Sequence, residues 1–281
     1  MTEERTIYIE KFNGETEEFK VEKLKTSLRR SKATEGEINT VVENIMPTLY
    51  DGMSSKEIYK KAFSLLKKHN RISASKYSLK RAILDLGPTG FPFERLISAL
   101  LREKGFKTKV GVILQGICVT HEVDVLAEKD GNSYAVECKF HSDPKAVSSV
   151  RIPLYINSRF LDIQSYWNKS LERKSHLKQG WLVTNTRFSS DAIDYSKCVG
   201  LQLLSWDYPD DNGIKHNVDE FALYPITTLT TLTKREKHLL IEKNIILTKE
   251  LYNAPMLLEE IGISEKKRKR VLNEIKNLCD L

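Results

Sequence analysis

The sequence lacks three features that would assign it to a familiar class of proteins. No apolar run approaches the roughly 18 residues of a membrane-spanning helix, and the opening MTEERTIYIEKF carries no apolar signal-peptide core. The four cysteines are scattered without a CxxC pair, which indicates neither a disulfide framework nor a zinc site. No GxxxxGK[ST] phosphate loop occurs, so ATP is more plausible as an effector than as a fuel. We therefore expect a cytoplasmic protein with reduced thiols and no membrane partner.

What the sequence contains is an ordinary globular composition with an excess of positive charge. Its 281 residues include 40% apolar residues and carry a formal net charge of +7. This length allows two domains, or one domain with appendages. The excess of Lys and Arg lies in residues 1–85 and 231–281, whereas residues 86–230 are neutral. Basic flanks are consistent with a polyanionic partner, and equally with plain solubility.

Residues 120–140 are the most informative stretch, because they read as a hairpin of two alternating strands. The first strand, THEVDV, has Glu122, Asp124 and Leu126 on one face and His121, Val123 and Val125 on the other. The second strand, YAVECKF, has an apolar face made of Tyr134, Val136, Cys138 and Phe140. Glu137 and Lys139 share its opposite face. Asp130-Gly131 predicts a tight turn that brings Asp124 opposite Glu137 and Lys139.

Two carboxylates and an ammonium on one sheet face predict a divalent cation, because repulsion and desolvation are otherwise uncompensated. Asp124, Glu137 and the carbonyl of Cys138 would supply hard oxygen ligands for Mg²⁺ or Mn²⁺. Lys139 would orient or deprotonate an attacking water and stabilise charge on a phosphate. This pattern favours phosphodiester hydrolysis. A surface ladder of salt bridges is the alternative interpretation of so short a pattern.

The segments on both sides of the hairpin strengthen this interpretation. Pro92-Phe93-Glu94 opens an apolar-periodic helix that stops at Gly105, with Glu94 on the edge of the apolar stripe. Glu94 is also explained by the preference of helix N-termini for acidic residues. Beyond the hairpin, the pattern predicts in turn a helix, a strand, a helix and a strand at 154–167, 179–184, 190–198 and 201–206. The predicted order is αβββαβαβ.

The D…ExK triple and this order resemble the PD-(D/E)xK restriction-endonuclease-like superfamily, and specifically its Mrr-type catalytic domain. The resemblance implies an α/β restriction-endonuclease-like core and a Mg²⁺-dependent DNA endonuclease. It places Glu94 on the family's first-helix acid, which assists metal or water placement, beside Asp124, Glu137 and Lys139.

Residues 1–86 predict a separate small unit, a β-hairpin (6–10 and 16–19) followed by four helices. The helices are expected at 21–31, 37–50, 56–68 and 73–86. The opening IYIEKFNGETEEFKVEKLKTSL and the closing KYSLKRAI resemble the ATP-cone, a nucleotide-binding regulatory domain. The resemblance implies ATP or dATP as effector.

The ATP-cone resemblance assigns roles to single residues of the hairpin and the first helix. Lys11 and Lys23 match phosphate-binding lysines, Ile9 an apolar adenine contact and Glu17 an acid near the base. Phe12 and Asn13 depart from the family's Arg and Asp. For each lysine, a solvated charge on a small basic domain is the alternative.

The Gly- and Pro-rich stretch 86–92 marks the end of the first unit, so we predict domains at 1–86, 91–225 and 226–281. DYPDDNGIKHN reads as an irregular loop, and the last domain as three or four short helices. Its final helix has an apolar face of Val271, Leu272, Ile275 and Leu278. Ile261-Gly262-Ile263-Ser264 and the basic run 266–270 resemble helix-hairpin-helix DNA-binding units, or form only the solvated side of that helix.

Five further residues in or near the hairpin carry alternative interpretations. Tyr155, Arg159 and Asp162 share a helix face, so Arg159 and Tyr155 would contact a phosphate or Arg159 would pair with Asp162. His121 and His141 are expected to be hydrogen-bonded structural histidines, since neither has a second His or Cys at metal spacing.

Together these patterns predict a metal-dependent DNA endonuclease regulated by ATP or dATP, with a homodimer possible. A non-cleaving, nucleotide-sensing DNA-binding regulator is the alternative, and no residue excludes RNA as the substrate.

Overall fold

A small sheet and five helices form the N-terminal part of the computed structural model, which describes residues 6–11, 14–171 and 174–281. Strand β1 (Tyr8–Glu10) pairs antiparallel with β2 (Thr16–Glu18) and parallel with β3 (Met53–Ser54). The helices that follow the hairpin are α1 (Val21–Arg29), α2 (Glu35–Ile45), α3 (Ser55–His69), α4 (Arg71–Tyr77) and α5 (Leu79–Leu84). Their apolar faces enclose a core that includes Leu28, Ile38 and Leu66.

Local sequence chemistry explains where these helices begin. Thr34 and Glu37 form a reciprocal capping box on α2, and Ser54 accepts a hydrogen bond from the backbone of Glu57 on α3. The Asn70 side chain accepts from the backbone N–H groups of Ile72 and Ser73, which fixes the start of α4.

Two N-terminal helix predictions were wrong in detail, and one short strand was not predicted. The helix predicted at 37–50 ends at Ile45, because Pro47 has no N–H to continue it and forms a 3₁₀ turn instead. The helix predicted at 73–86 is divided at Ser78, whose hydroxyl donates to the carbonyl of Ser75. Strand β3 has only two residues, too few for a periodic signal.

The central part of the chain builds a five-stranded mixed sheet with helices on both faces. Its order in sequence is α6 (Phe91–Glu103), β4 (Lys107–Gln115), β5 (Thr120–Lys129), β6 (Asn132–Lys139), β7 (Val147–Ser148), α7 (Arg151–Trp167), β8 (His176–Thr184), β9 (Arg187–Phe188), α8 (Ser190–Val199) and β10 (Gln202–Leu204). The sheet order is β10-β8-β6-β5-β4, and β7 pairs with β9 separately. Pairs β4–β5 and β5–β6 are antiparallel, whereas β6–β8 and β8–β10 are parallel. Apart from the two-residue strands β7 and β9, this is the order that the sequence predicts.

The two faces of the sheet carry different cores. Val125, Ala127 and Val136 pack with α6 and the C-terminal helices. Leu126 and Ala135 pack on the other face against Phe160 of α7. Tyr134, Cys138 and Phe140 pack beside Val136, which confirms the predicted apolar face of β6.

The Asp-Gly turn is confirmed, but the predicted alternation along β5 fails at one point. Asp130 (φ 50°) and Gly131 (φ 72°) form a two-residue connection with both φ angles positive, as a type I′ hairpin requires. Val123 lies in the core on the α7 face, whereas Val125, two residues later, lies in the opposite core. The regular two-residue period is therefore broken at Asp124, between them.

The C-terminal part is helical and closes over α6. It comprises α9 (Ile214–Glu220), α10 (Lys234–Glu242), α11 (Thr248–Asn253), α12 (Met256–Glu260) and α13 (Glu265–Cys279). The last four are the short helices that the sequence predicts, whereas α9 begins inside the predicted irregular loop. On α13, Val271, Ile275 and Leu278 are buried.

The largest hydrophobic cluster contains residues from all three predicted domains. Leu79 and Ile83 of α5, Phe93 of α6 and Ile275 of α13 all belong to it. The division into domains stays a prediction, but these segments share one core. Among the described helices, none combines the length and apolar character needed to cross a membrane.

Candidate active site

Three carboxyl groups approach one another where β5 and β6 begin to diverge. Asp124 Oδ2 accepts a hydrogen bond of 2.6 Å from the backbone N–H of Cys138. At this end of the two strands, the last residues in register are Val125 and Val136. The hydrogen bond from Cys138 to Asp124 takes the place of the backbone pairing that would come next. Glu137 lies on β6 beside it, and Glu94 lies in the first turn of α6. The structure therefore brings the three predicted acidic residues together.

A glycine on the neighbouring strand accompanies the irregularity at Asp124. The pairs Val110–Val125 and Val112–Val123 flank Gly111 and Asp124, which themselves form no register pair. Gly111 has φ 63°, a conformation that a residue with a side chain rarely adopts. This local break directs Val123 and Val125 to opposite faces and leaves Asp124 at the point where the faces change.

Burial and mutual repulsion make these carboxyl groups hard to ionise. Desolvation, with smaller contributions from Asp124 and Glu122, raises the pKa of Glu94 to about 7. Desolvation and the charge of Asp124 likewise raise the pKa of Glu137 to about 7, although Arg159 opposes the shift. The pKa of Asp124 is raised by burial and held back by the hydrogen bond from Cys138. The cluster thus carries acidic oxygens whose ionisation a nearby cation would favour.

The donor set fits the hard divalent cation predicted from the sequence. Asp124 and Glu137 offer carboxylate oxygens beside the Cys138 backbone, and oxygen ligands are those that Mg²⁺ and Mn²⁺ prefer. Across residues 6–11, 14–171 and 174–281, no three His, Cys, Asp or Glu side chains are grouped closely enough to hold a metal ion. Two carboxylates and a backbone carbonyl do not require such a group. The Cys138 thiol is buried, which raises its pKa well above the usual value, so it is not an available thiolate ligand.

Lys139 lies two residues after Glu137 on β6, and residues two apart point to the same side of a strand. Its side chain is exposed, and its ammonium forms no ion pair with any residue in the described part of the chain. Lys139 therefore offers a solvent-exposed cation on the strand that carries Glu137, where it is available to a phosphate.

Arg159 is a site residue whose partner the sequence did not reveal. Its Nη1 donates to Glu137 Oε2 at 2.8 Å, its Nη2 donates to the carbonyl of Glu122, and its guanidinium lies 5.6 Å from the Tyr155 ring centroid. The side chains of Arg159 and Glu137 are only 16% and 14% exposed. The alternative pair of Arg159 with Asp162 is wrong. A cation is therefore already in contact with one of the predicted metal ligands.

Asp162 instead fixes the β4–β5 turn. It accepts from His121 Nε2 at 2.7 Å and from the backbone N–H groups of Cys118 and Val119. His141 Nε2 lies 3.0 Å from Ser148 Oγ, and its backbone N–H donates to Asn185. The interpretation of both histidines as hydrogen-bonded structural residues agrees with these contacts.

The predicted nucleotide residues are also brought together, but as an ion-pair cluster. Glu17 Oε2 lies 3.1 Å from Lys11 Nζ and 2.8 Å from Lys23 Nζ. Hydrogen bonding to Lys23 lowers the pKa of Glu17, and Glu17 raises the pKa of Lys11. Ile9, on strand β1 of the hairpin, is buried. Phe12 and Asn13, where the sequence departs from the ATP-cone pattern, lie outside the described residues.

Most of the basic run on α13 is paired with acidic side chains. Lys267 contacts Glu236 at 2.6 Å, Arg268 pairs with Glu259, and Lys269 lies 2.7 Å from Glu265. This arrangement agrees better with the solvated side of an amphipathic helix than with a free phosphate-binding surface.

Together, the fold and the site define a mixed α/β protein with a carboxyl cluster where the inner strands β5 and β6 of its central sheet diverge. Comparison with known proteins shows that the chain belongs to the AF1548-like family. It is 38% identical over 183 residues to an uncharacterized protein of Archaeoglobus fulgidus, covering 65% of this chain and 99% of that protein. Residues 224–279 match the family model described as AF1548-like, C-terminal. The crystal structure of the protein of unknown function AF1548 is similar at 36% identity and a TM-score of 0.56, over 68% of this chain and 99% of that one.

Proposed function

We propose that the chain is a metal-dependent DNA endonuclease of the restriction-endonuclease-like class, with an Mrr-type site. The observation that carries the proposal is the convergence of Glu94, Asp124 and Glu137, with the exposed Lys139 two residues after Glu137 on β6. Burial raises the pKa of both glutamates to about 7. A structural role gives no reason for bringing mutually repelling carboxyl groups into a partly buried space, whereas holding a divalent cation with Asp124 and Glu137 does.

Asp124, Glu137 and the carbonyl of Cys138 would hold Mg²⁺ or Mn²⁺. The bound ion would supply Lewis acidity toward a phosphate oxygen. Lys139 would orient or deprotonate the attacking water and stabilise the charge that develops on the phosphate. Glu94, in the first turn of α6, would assist the placement of the metal or the water.

The N-terminal unit would act as an ATP-cone that senses ATP or dATP. The supporting observation is that Lys11 and Lys23 converge on one carboxylate, that of Glu17. Nucleotide phosphates would compete with Glu17 for these two ammonium groups, so binding would change the ion pairs at the base of the hairpin.

The test is conversion of supercoiled plasmid to nicked circles with Mn²⁺, by the wild type, Lys139→Ala and Lys178→Ala, each with and without ATP or dATP. Lys178 is an exposed lysine on the neighbouring parallel strand β8 and serves as the matched control. We expect Lys139→Ala to lose activity and Lys178→Ala to keep it. An absence of nicking by the wild type on any DNA form would refute the proposal.

A non-cleaving DNA-binding regulator is favoured by one observation, the Arg159–Glu137 pair. A guanidinium already compensates Glu137 without a metal ion. A gel-shift assay with EDTA distinguishes the nuclease from the regulator. Metal-independent DNA binding by a protein that nicks no plasmid would support the regulator.

A further inference from the structure

A cavity of about 670 Å³ separates the N-terminal helices from one end of the central sheet. Residues of α1, α3, α4 and α5 line one wall, and Trp206 with Lys215 of α9 lines the other. This volume lies within the range of small-molecule sites. The cavity is therefore large enough for a ligand that touches both parts of the chain.

The charges around this cavity are predominantly positive. Its lining contains the cations Lys23, Arg30, Lys76, Lys80 and Lys215, and the single acid Glu22. Glu22 already lies 3.3 Å from Lys25 and 3.7 Å from Arg29, both outside the lining. In the described part of the chain, Arg30, Lys76, Lys80 and Lys215 have no carboxylate within ion-pair distance. Four cations thus face one space without a paired counter-charge.

Desolvation lowers the proton affinity of three of these lysines. Burial lowers the pKa of Lys76, Lys80 and Lys215. The charges of Asp207 and Asp219, which line a neighbouring cavity, oppose the shifts at Lys80 and Lys215 without cancelling them. An anion placed among these ammonium groups would relieve their repulsion.

Aromatic rings give the cavity rigid walls. Lys80 Nζ lies 5.5 Å from the centroid of the Trp206 ring, and Tyr59 stacks on Tyr77 with centroids 5.1 Å apart. These contacts hold Lys80 at the junction, because a cation over an indole ring is attracted to its face. The cationic groups are therefore fixed in part before any ligand arrives.

We propose that this junction cavity binds a small anion carrying two or more phosphate groups, held chiefly by Arg30, Lys80 and Lys215. Several separated cations match a chain of phosphates better than a single carboxylate. The site is independent of nuclease activity and of Ile9, Lys11 and Glu17, and only Lys23 lies near both sites. Since Lys80 precedes the central sheet and Lys215 follows it, the bound anion ties the two parts together.

The experiment is isothermal titration of the full chain with sodium tripolyphosphate at about 0.15 M salt, where general charge attraction is screened. We expect one site per chain, weakened about tenfold or more in Lys80→Gln and in Lys215→Gln. Lys68→Gln, an exposed lysine of α3 outside the lining, should bind like the wild type.

A second arm compares ATP with tripolyphosphate in Lys11→Gln. Unchanged tripolyphosphate binding in this variant, with weakened ATP binding, would support a junction site distinct from the hairpin. Tripolyphosphate binding that falls in Lys11→Gln but not in Lys80→Gln would overturn the proposal. So would equal losses in all variants including Lys68→Gln, or no binding at all.

Discussion

Glu94, Asp124 and Glu137 occupy a partly buried space in which each ionised carboxylate raises the free energy of ionising the others. Such an arrangement is costly in the metal-free protein and becomes favourable when a cation is bound. The same residues should therefore reduce stability and supply function. Both consequences can be measured at single positions.

Glu94→Gln should stabilise the metal-free protein above about pH 7. The pKa of Glu94 is raised in the folded state from 4.5 to about 7, so the folded state binds more protons than the unfolded state in that window. The free energy of unfolding of the wild type therefore falls as pH rises through it. We expect a gain of about 1–2 kcal/mol for the variant near pH 8 and little near pH 5, measured by urea denaturation with EDTA.

The control is Glu103→Gln, an exposed residue at the other end of α6. A gain from Glu94→Gln that is the same near pH 5 and pH 8 would show that ionisation of Glu94 is not its cause.

Arg159→Gln should strengthen cation binding. The guanidinium contacts Glu137 at 2.8 Å, so a divalent cation that uses this carboxylate must compete with it. Removing the competitor should tighten Mn²⁺ binding about tenfold near pH 8, as measured by isothermal titration calorimetry. Arg151→Gln, an exposed residue at the start of the same helix, is the matched control. Unchanged or weaker Mn²⁺ binding in Arg159→Gln would show that the pair does not oppose the cation.

At the scale of elements, the sequence predicted those helices, strands and turns that have a regular apolar spacing or a specific turn signal. Helices α6 and α7, strand β6 and the Asp130-Gly131 turn follow directly from apolar spacing and turn chemistry. The break at Asp124, the two-residue strands and α9 did not. The break interrupts the strand period, the two-residue strands are too short to show an alternation, and α9 has only Ile214 and Val218 as buried apolar residues. The Arg159–Glu137 contact was missed for a different reason. It joins residues 22 positions apart, and no local pattern specifies which carboxylate an arginine will meet.

Gly180 is an element-scale requirement that the sequence pattern does not show. A Cβ on Gly180 of β8 would lie 2.9 Å from Leu201 Cδ1 and 2.9 Å from Phe160 Cγ, so α7 packs directly on this strand. Gly180→Ala should cost about 1–3 kcal/mol in the free energy of unfolding, measured by urea denaturation.

Gly36→Ala is the matched control for Gly180→Ala, since a Cβ on Gly36 of α2 meets nothing within 4 Å. It should instead stabilise by about 0.5–1 kcal/mol through helix propensity. A loss from Gly180→Ala no larger than the error of the measurement would contradict the packing argument.

At the scale of the whole molecule, one buried carboxylate fastens the last helix to the rest of the chain. Glu274 of α13 is 5% exposed and accepts hydrogen bonds from the backbone N–H groups of Thr230 (2.6 Å) and Thr231 (2.9 Å). It also lies 3.5 Å from Ser75 Oγ of α4. The first and last parts of the sequence thus meet at this residue, in agreement with the core that they share.

Glu274→Gln should destabilise the whole chain by about 2–3 kcal/mol. Glutamine has a single side-chain oxygen that can accept, so one of the two buried backbone N–H groups would lose its partner. The same change at Glu265, exposed in the first turn of α13, should cost much less. Thermal unfolding followed by circular dichroism would reveal the difference. Equal melting temperatures for the two variants would show that Glu274 does not fasten the helix.

DNA hydrolysis at the carboxyl cluster is tested most directly by the rate of plasmid nicking with Mg²⁺ near pH 8 by Asp124→Asn. Asp130→Asn is its matched control, the same change at the exposed turn of the same hairpin, where asparagine tolerates the positive φ. We expect a loss of about a hundredfold or more for Asp124→Asn and an unchanged rate for Asp130→Asn. Equal rates for the two variants and the wild type would show that the carboxyl cluster is not the active site and would attribute the nicking to another site or protein.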